Sequence, residues 1–443
     1  MTDFYQLSRQ ASGLRKERQH DQALPVYREL WEQHRDQCSE WEGWGYAFCL
    51  RKLRRSQEAL EICRQALPLN PQMAHLRGLL GWCLYDTEIK RPPEEIARNE
   101  GRYFGAVNEI LELTEPGQYS PYVRTLLQVI DYLKSKASSP AEGILHWTAK
   151  VSADQLSDQP GRGRDETGKL REYASDREKW YAERCKALCE AGRFQECIDL
   201  ATAALGEFSK FHHDNDVWLR WRMAAAQAGL GDKQAAIDLL QSLLIRKKDW
   251  FIYRDLAQYQ FDLRQTDEAL SHAIEAALAP GELGFKWELF LLMGQILQAQ
   301  GKPEQAKKHV LLAAKVRDDE WRVPAALSQA AQQMGVELGA PVAAGELHRE
   351  LRRFWQSEKL ADMPRGEGEI SNLLSNGKAG FIRSDSGEDY YFKLSSFQGP
   401  RHLQQVGQRV AFHIERNPRP DQRDIAIHVK PMGHESAPED QAI

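Results

Sequence analysis

The sequence predicts a mostly α-helical protein, in which stacked helical hairpins form an α-solenoid and a small five-stranded β-barrel follows them. Three observations predict this fold class. Up to about residue 335, small and large apolar residues recur at helical spacing. Glycines in "AGRFQ" and "LGDKQ" stand where a first helix must stop and the chain must turn. Beyond about residue 365, apolar residues alternate with polar ones, which is typical of short strands.

The composition is that of a folded protein with more than one domain. A chain of 443 residues is long enough for about two to four domains. Its 42% hydrophobic and 28% charged residues are typical of a soluble globular protein. The net charge of −5 argues against a protein that coats nucleic acid through bulk charge, and it leaves a local site open. We find no membrane-spanning apolar run and no signal peptide.

The cysteines predict a cytoplasmic protein with reduced thiols. They form no CxxC pair, and they fall inside helical patterns, where a cysteine packs as a small apolar residue. Their positions are 38, 49, 63, 83, 185, 189 and 197.

The stretch "RRSQEALEICRQALPLNP" shows the helical pattern most clearly. Ala59, Cys63 and Ala66 stand at helical spacing, and Pro71 follows where the chain must turn. This pattern resembles the second helix and turn of the tetratricopeptide repeat, whose period is about 34 residues. Six degenerate copies fit the same frame. The residues that fill it are Leu7, Ala11, Leu14, Ala23, Tyr27 and Leu30; Tyr46, Ala47, Leu50, Ala59, Cys63 and Ala66; Tyr181, Cys185, Leu188, Cys197, Ala201 and Ala204; Met223, Ala224, Ala236, Leu240 and Leu243; Tyr253, Leu256, Ala257, Ala269, Ala273 and Ala276; and Phe290, Met293, Gly294, Leu297, Ala306, Val310 and Ala313.

The register of these copies predicts the domain organisation, and the resemblance implies a protein or peptide partner in the groove of the solenoid. The predicted regions are 1–86, N-terminal repeats; 87–178, an irregular helical insertion with a polar exposed loop at about 152–178; 179–335, C-terminal repeats; 336–364, a linker and helix; 365–431, the barrel; and 432–443, a disordered tail.

Two candidate sites in the helical region have stronger structural interpretations. Residues 163–169 nearly match the phosphate-binding pattern GxxxxGK[ST], but Leu170 lacks the required hydroxyl and no apolar strand precedes the loop. His212 and His213 lie beside acidic residues, yet adjacent histidines diverge on a helix and no second ligand cluster stands at metal spacing. A nucleotide-dependent switch at the first site and a metal at the second are the less favoured alternatives. With no catalytic motif found, we predict no enzyme activity, no cofactor and no metal.

Tryptophans accumulate on the predicted first helices, which line the concave face of such a solenoid. Each of them either contacts a ligand there or packs between neighbouring helix pairs, and we favour packing for any single one. They are Trp41, Trp44, Trp180, Trp218, Trp221, Trp250 and Trp287.

The C-terminal region predicts five short strands with tight turns. Ile370, Ile382 and the pair Tyr390/Phe392 alternate with outward residues. Asn376-Gly377 and Ser386-Gly387 are hairpin turn signals. Five such strands within about 65 residues suggest a small closed barrel such as the OB-fold.

Residues 366 to about 431 resemble a bacterial cold-shock domain. "KAGFI" (378–382) resembles the first ribonucleoprotein motif of that family, and "DYYFK" (389–393) resembles the second. The resemblance implies binding of single-stranded RNA or DNA by stacking of bases on outward aromatic rings, with basic residues around them. The nucleic-acid-binding residues predicted in this way are Phe381, Tyr391 and Phe397 for stacking and Lys378, Arg383 and Lys393 for phosphates.

The barrel sequence also departs from the family pattern. Asn372 and Leu373 replace two aromatic residues after the opening strand, Ala379 replaces the first aromatic of the first motif, and Lys393 replaces a histidine of the second. Nine Lys/Arg against eight Asp/Glu leave residues 366–431 nearly neutral. We therefore expect weak binding of single strands.

The chain as a whole resembles bacterial proteins that join tetratricopeptide repeats to a cold-shock-like barrel. The favoured function is a non-catalytic adaptor, with a protein partner in the solenoid and single-stranded RNA or DNA on the barrel. The alternative is a pure protein scaffold in a stress or phage-defence assembly, in which the barrel contacts protein.

Overall fold

The computed structural model describes residues 4–136, 140–317, 323–361, 363–375, 377–417 and 423–433. The chain divides into two compact units, residues 1–230 and residues 231–443. Helices dominate the first unit, and the second unit contains helices followed by a barrel. No helix in the described part of the chain is long and apolar enough to span a membrane.

The first unit contains twelve helices and one β-hairpin among its described residues. They are α1 (Phe4–Lys16), α2 (His20–Gln33), α3 (Glu40–Lys52), α4 (Ser56–Ala66), α5 (Ala74–Leu84), α6 (Pro93–Arg98), α7 (Glu100–Leu113), α8 (Tyr122–Lys134), α9 (Ala141–Thr148), β1 (Gly161–Arg164), β2 (Leu170–Tyr173), α10 (Asp176–Glu190), α11 (Phe194–Glu207) and α12 (Asn215–Gly229). Consecutive helices pack against each other from α1 to α5 and from α8 to α12, with the hairpin between α9 and α10.

The second unit has seven described helices and five strands. They are α13 (Lys233–Leu244), α14 (Trp250–Asp262), α15 (Thr266–Leu278), α16 (Trp287–Ala299), α17 (Pro303–Lys315), α18 (Ala325–Met334), α19 (Ala344–Ala361), β3 (Arg365–Leu373), β4 (Ala379–Ser384), β5 (Asp389–Lys393), β6 (Arg409–Glu415) and β7 (Ile425–Pro431). The long helix α19 packs on α15 and α17, and its buried Trp355 ring stacks on Phe290 of α16 at 5.7 Å between centroids.

The residues that define the sequence repeat form the helical cores. Nearly all of them are buried, and Ala11, Ala59, Ala201 and Ala269 have no exposed surface. Small residues are required there because neighbouring helices approach closely. At Gly45 in α3, an added Cβ would overlap the ring of Tyr27 from α2. The predicted mostly α architecture of stacked helix pairs is confirmed.

One residue in the turn of each of the six repeats adopts a left-handed backbone. In three turns this residue is a glycine, Gly192, Gly231 or Gly301, with φ of 72°, 96° or 73°. In three others it is an arginine, Arg18, Arg54 or Arg264, with φ of 62° to 64°. Glycine adopts this conformation freely and other residues do so at some cost, so the arginine turns are strained.

The stretch at about 152–178 differs from the exposed loop that the sequence predicts. It contains the antiparallel hairpin β1/β2, in which Gly161 pairs with Tyr173 and Arg164 pairs with Leu170. Its last residues belong to α10, which begins at Asp176 with Ser175 as its N-cap. The hairpin side chains are mostly exposed, and a polar two-stranded ribbon lacks the apolar alternation by which strands are predicted.

The five C-terminal strands close into a barrel in the order β3-β4-β5-β7-β6. All neighbouring pairs are antiparallel except β5 and β7, which run parallel. The interior holds one aliphatic and aromatic cluster, with Ile370, Ile382, Phe392 and Phe412 at its centre. The predicted closed five-stranded barrel is confirmed. Gly377 and Gly387 have the positive φ expected of hairpin turns, while Asn376 lies outside the described residues.

Candidate nucleic-acid interface and helical groove

The outer face of strands β4 and β5 carries an aromatic pair, Phe381 and Tyr391. The two residues are direct cross-strand neighbours, and their rings meet edge-to-face with centroids 5.9 Å apart. The residues adjacent in sequence, Ile382 and Phe392, fill the barrel interior. Because side chains alternate across a strand, the aromatic pair points outward, and both rings are half-buried.

The charges beside the aromatic pair largely neutralise one another. Arg383 forms a two-pronged hydrogen bond with Asp389, the next cross-strand pair along β4 and β5. Arg423 lies 3.6 Å from the same carboxylate, and its guanidinium lies over the Phe381 ring at 5.4 Å from the centroid. The hydrogen bond from Arg383 lowers the pKa of Asp389 below its usual value. Arg383, predicted to contact phosphates, is therefore already engaged by a carboxylate.

The two predicted lysines lie at the other end of the same strands. Lys393 is exposed and ends β5 opposite Ala379, and Lys378 immediately precedes β4. Ala379 is itself buried. Asn372 on β3 is the cross-strand neighbour of Phe381. The face is therefore a single aromatic pair, with a lysine end and a mixed-charge end.

Phe397 lies in a different environment from the other predicted site residues. Its side chain is only 8% exposed and belongs to the barrel core. An isolated bridge to Val429 holds its backbone there. A ring in this position cannot offer a face to a base, so the expected stacking role of Phe397 is wrong.

Arg423 is the functional candidate that the sequence interpretation missed. It lies in the connection between β6 and β7. No motif marks Arg423 in the sequence. The only available indication is its position, because in OB barrels the loop between the fourth and fifth strands contributes to oligonucleotide binding with the face of the second and third strands. A basic residue in that connection is therefore a reasonable candidate for a nucleic-acid contact.

A second candidate surface is a groove in the first unit, with a cavity volume of about 1270 Å³. Trp44 and Phe48 of α3 and Trp82 of α5 line it. Trp41, which is 51% exposed, packs edge-to-face against Trp44. The residues from Leu111 to Ser120 close one side, where the indole N–H of Trp82 donates to the carbonyl of Tyr119 at 2.8 Å. We call this surface the α3 groove.

Cationic side chains cover the rings of the α3 groove. Lys52 lies 5.2 Å from the centroid of Phe48, and Arg124 lies 5.7 Å from that of Trp82. Among the described residues, neither of these two cations makes an ion pair. Arg51 also lies over Trp82, at 4.8 Å, but it pairs with Asp86. The α3 groove is therefore aromatic and contains two cations without ion pairs, together with the carboxylates of Glu112 and Glu115 in its lining.

The other tryptophans differ in environment. Trp180 is buried and donates to the carbonyl of Thr148 at 2.9 Å, which agrees with a packing role. Trp250 and Trp287 are partly buried and pack against the helical core of the second unit.

The two other motifs considered in the sequence have local structural explanations. Around residues 163–169, the carboxylate of Asp165 accepts hydrogen bonds from the amides of Thr167 and Lys169 and so closes the turn of the β1/β2 hairpin. His212 is buried, and its Nδ1 lies 2.8 Å from the buried carboxylate of Glu178. In the described part of the chain, no three His, Cys, Asp or Glu residues cluster as metal ligands would.

Comparisons with known proteins give one family and several distant structures. Residues 217–338 match a family described as "Domain of unknown function (DUF7017)". No curated protein matches the sequence. A tetratricopeptide repeat protein from Parabacteroides merdae is 12% identical over 75% of this chain and 98% of its own, with a TM-score of 0.31. The pilF protein of Pseudomonas aeruginosa is 10% identical over 68% and 100%, with a TM-score of 0.29.

A third solved structure, titled MamA MSR-1 C2, is 18% identical over 40% of this chain and 98% of its own, with a TM-score of 0.28. Likeness at this level carries no argument about function. The assignment of tetratricopeptide-like helix pairs rests on the buried repeat residues of the chain itself.

Proposed function

We propose that the protein is a non-catalytic adaptor, whose helical repeats hold a protein partner and whose barrel binds single-stranded RNA or DNA. The single observation that supports the nucleic-acid half is the outward aromatic pair on the second and third strands of a closed five-stranded barrel. This is the face that OB barrels use for oligonucleotides. In this proposal the barrel is a cold-shock-like domain, with Lys378, Lys393 and Arg423 contacting phosphates.

The proposed binding is weak for a physical reason. Stacking is worth about 1–3 kcal/mol per base, so two rings contribute about 2–6 kcal/mol, whereas a micromolar dissociation constant needs about 8 kcal/mol. Phosphate contacts must supply the rest, and Asp389 already engages Arg383. Additional contacts from a partner protein would then decide whether the complex forms in the cell.

The α3 groove is the proposed site of the protein partner. Repeat proteins of this class bind extended segments along the concave surface made by successive helices. Lys52 and Arg124 lie over aromatic rings and lack ion pairs. They favour a partner segment with acidic side chains, whose carboxylates would form ion pairs with them. A cytoplasmic location belongs to the same proposal and rests on seven free cysteines.

The test of the nucleic-acid half uses the full-length protein with Phe381 and Tyr391 both replaced by alanine. Fluorescence anisotropy with a labelled single-stranded RNA should show at least a tenfold loss of affinity, while circular dichroism and the melting temperature stay close to wild type. Phe285→Ala removes an aromatic side chain that is 70% exposed outside the barrel and is the matched control. Equal affinity of the double variant and the wild type would rule out stacking on this face.

A second candidate function is the pure protein scaffold, in which the barrel contacts protein. The Arg383–Asp389 pair favours it, because a barrel that binds nucleic acid has little reason to neutralise an arginine beside its rings. In that case the double variant would change neither RNA affinity nor salt dependence. It would instead weaken the association with the other subunits.

A further inference from the structure

A cavity of about 390 Å³ lies between helix α19 and the outer face of β3, β6 and β7. Arg353 enters it from α19, Arg365 from β3, His413 from β6, and His428 and Lys430 from β7. The aromatic pair lies on β4 and β5, so this cavity is a separate surface of the barrel. We call it the histidine cavity.

The histidine cavity carries uncompensated positive charge. No carboxylate is among the residues that line it. Within the described part of the chain, none of its cations Arg353, Arg365 and Lys430 makes an ion pair. By contrast, Lys359 on the same helix pairs with Glu275 at 2.6 Å. Three unpaired cations around one cavity are an arrangement that an anion would stabilise.

The two histidines have hydrogen-bonding atoms without partners. Their rings meet edge-to-face, with centroids 6.0 Å apart. Both ring nitrogens of His413 and Nδ1 of His428 are shielded from solvent and have no hydrogen-bond partner in the described structure. Buried polar atoms are nearly always paired. Three unpaired nitrogens beside one cavity are polar atoms that an anion could pair with after a small rotation of the rings.

The backbone at His428 is strained in a way that aims its side chain at the cavity. Ala411 pairs with Lys430, whereas His413 pairs with Ile427, so β7 holds one extra residue at this point. This bulge places His428 at φ 52°, a left-handed conformation that favours glycine. Bulges are common beside binding sites because they redirect a side chain. A strained residue at a bulge beside a group of cations is a candidate for a functional constraint.

From these observations we infer that the histidine cavity binds a small phosphate-bearing anion. Arginine, lysine and imidazole N–H groups are the donors that phosphate oxygens accept from. A volume of about 390 Å³ is within the range of small-molecule pockets and is larger than a single inorganic phosphate needs. Metal ions are disfavoured, because three cationic side chains surround the two histidines.

Binding should depend on pH in one direction. Burial, with Arg365, Lys430 and the neighbouring histidine as further causes, lowers the pKa of His413, and burial and Lys430 lower that of His428. Arg353 is the charged group that faces them from α19. A bound anion favours the protonated rings, so affinity for an anion whose charge is constant in this range, such as sulfate, should rise as the pH falls from 7.5 to 6.

The experiment is isothermal titration calorimetry of the full-length protein with inorganic pyrophosphate, and with adenosine monophosphate and inorganic phosphate in parallel. We expect a dissociation constant below a millimolar for at least one of them at pH 7.5. Sulfate, titrated in the same way as a dianion of constant charge, should bind more tightly at pH 6 than at pH 7.5. The double variant Arg365→Gln/Lys430→Gln should weaken it at least tenfold. Arg401→Gln, an exposed barrel cation outside the cavity, should leave it unchanged.

A second variant separates a binding role from a structural one. His428→Gly removes the strain of the bulge, so the barrel should become more stable while anion affinity falls at least fivefold. A merely structural histidine would instead lose stability on this substitution. No binding of the three probes at millimolar concentration, or equal binding by the Arg365/Lys430 variant, would overturn the inference. RNA binding at the aromatic pair is unaffected in either case, so the two proposals fail independently.

Discussion

The indole N–H of Trp355 donates a hydrogen bond to Nε2 of His309, with 2.8 Å between the two nitrogens. This bond joins the long helix α19 to α17 inside the second unit. Nδ1 of the same imidazole lies 2.7 Å from the carbonyl oxygen of Gln305 and must carry the proton. His309 is therefore a neutral, fully buried histidine with a defined tautomer, in a core where most side chains are apolar.

The first prediction concerns pH. Burial lowers the pKa of His309 from 6.5 to about 4, so between these values the unfolded chain binds more protons than the folded one. The stabilisation from neutral His309 is therefore complete above pH 6.5 and is lost as the pH falls toward 4. The total is roughly 3 kcal/mol. Urea denaturation of the wild type and His309→Gln from pH 7.5 to 4.5 measures it.

The readout of that experiment is the difference in slope between the two proteins. His309→Gln is expected to be less stable at pH 7.5, because the hydrogen bond from Trp355 is disturbed, but its stability should fall less steeply with acid. Parallel pH profiles would show that His309 does not supply the acid sensitivity. His272 is half-buried, and burial lowers its pKa as well, so His272→Gln is the informative companion variant.

The second prediction concerns the arginines in the helix turns. Arg54 has φ 62°, and a glycine there would remove the steric cost of the left-handed conformation. Arg54→Gly should stabilise the first unit by about 0.5 kcal/mol, the steric gain less the added entropy of glycine. Thermal unfolding followed by circular dichroism measures this. Gly192→Ala, at the equivalent turn with φ 72°, should change stability in the opposite direction.

The third prediction concerns the contact between α2 and α3. An alanine at position 45 would place its Cβ 2.5 Å from the ring atom Cζ of Tyr27 and still closer to the hydroxyl oxygen, so the ring must move. Gly45→Ala should destabilise the protein by about 1–3 kcal/mol. In a Tyr27→Leu background, Gly45→Ala should lower the free energy of unfolding by less. The two substitutions would then be non-additive in a double-mutant cycle.

Gly105→Ala provides the control for that cycle. Gly105 lies in helix α7 with nothing within 4 Å of an added Cβ, and alanine is the better helix former by about 1 kcal/mol. This variant should be slightly more stable than the wild type. If Gly45→Ala behaved in the same way, the close approach of α2 and α3 would be wrong.

The fourth prediction concerns the charge beside the aromatic pair. Asp389→Asn removes the carboxylate that binds both Arg383 and Arg423, so these cations become available to phosphates. Affinity for a single-stranded RNA should rise several-fold, and its dependence on salt should become steeper, because more counterions are released. Anisotropy titrations at two salt concentrations test this. Asp385→Asn, which removes the closer of the two ion pairs of Arg409 instead, is the matched control.

An unchanged salt dependence in Asp389→Asn would show that phosphates do not reach this face. The scaffold interpretation of the barrel would then be favoured. Asp389 is half-buried but its partner Arg383 is exposed, so losing this ion pair should change folding stability little.

Much of the fold could be predicted because its information is local. The residues Ala59, Cys63 and Ala66 lie three and four positions apart, so their burial follows from one helix face packing on another. The alternation of Ile382 with Phe381 and Arg383 likewise assigns one to the barrel core and the others to its surface. The polar hairpin β1/β2 carries no such pattern and was not predicted.

The candidate sites could be predicted only in part. The outward direction of Phe381 and Tyr391 follows from alternation, and strand register then makes them neighbours. Phe397 lies after the last residue of β5, where alternation no longer applies, and its bridge to Val429 buries it. Arg423 reaches the ring of Phe381 from a distant connection.

By itself the sequence determined which residues are buried within each helix and strand, because a periodic pattern of apolar residues reports a single local face. Only the tertiary structure decided which side chains from distant elements meet. Strand register and helix packing bring together Arg383 with Asp389, Trp355 with His309, and the rings of His413 and His428. Those relationships join residues far apart in the chain, and no local period encodes them.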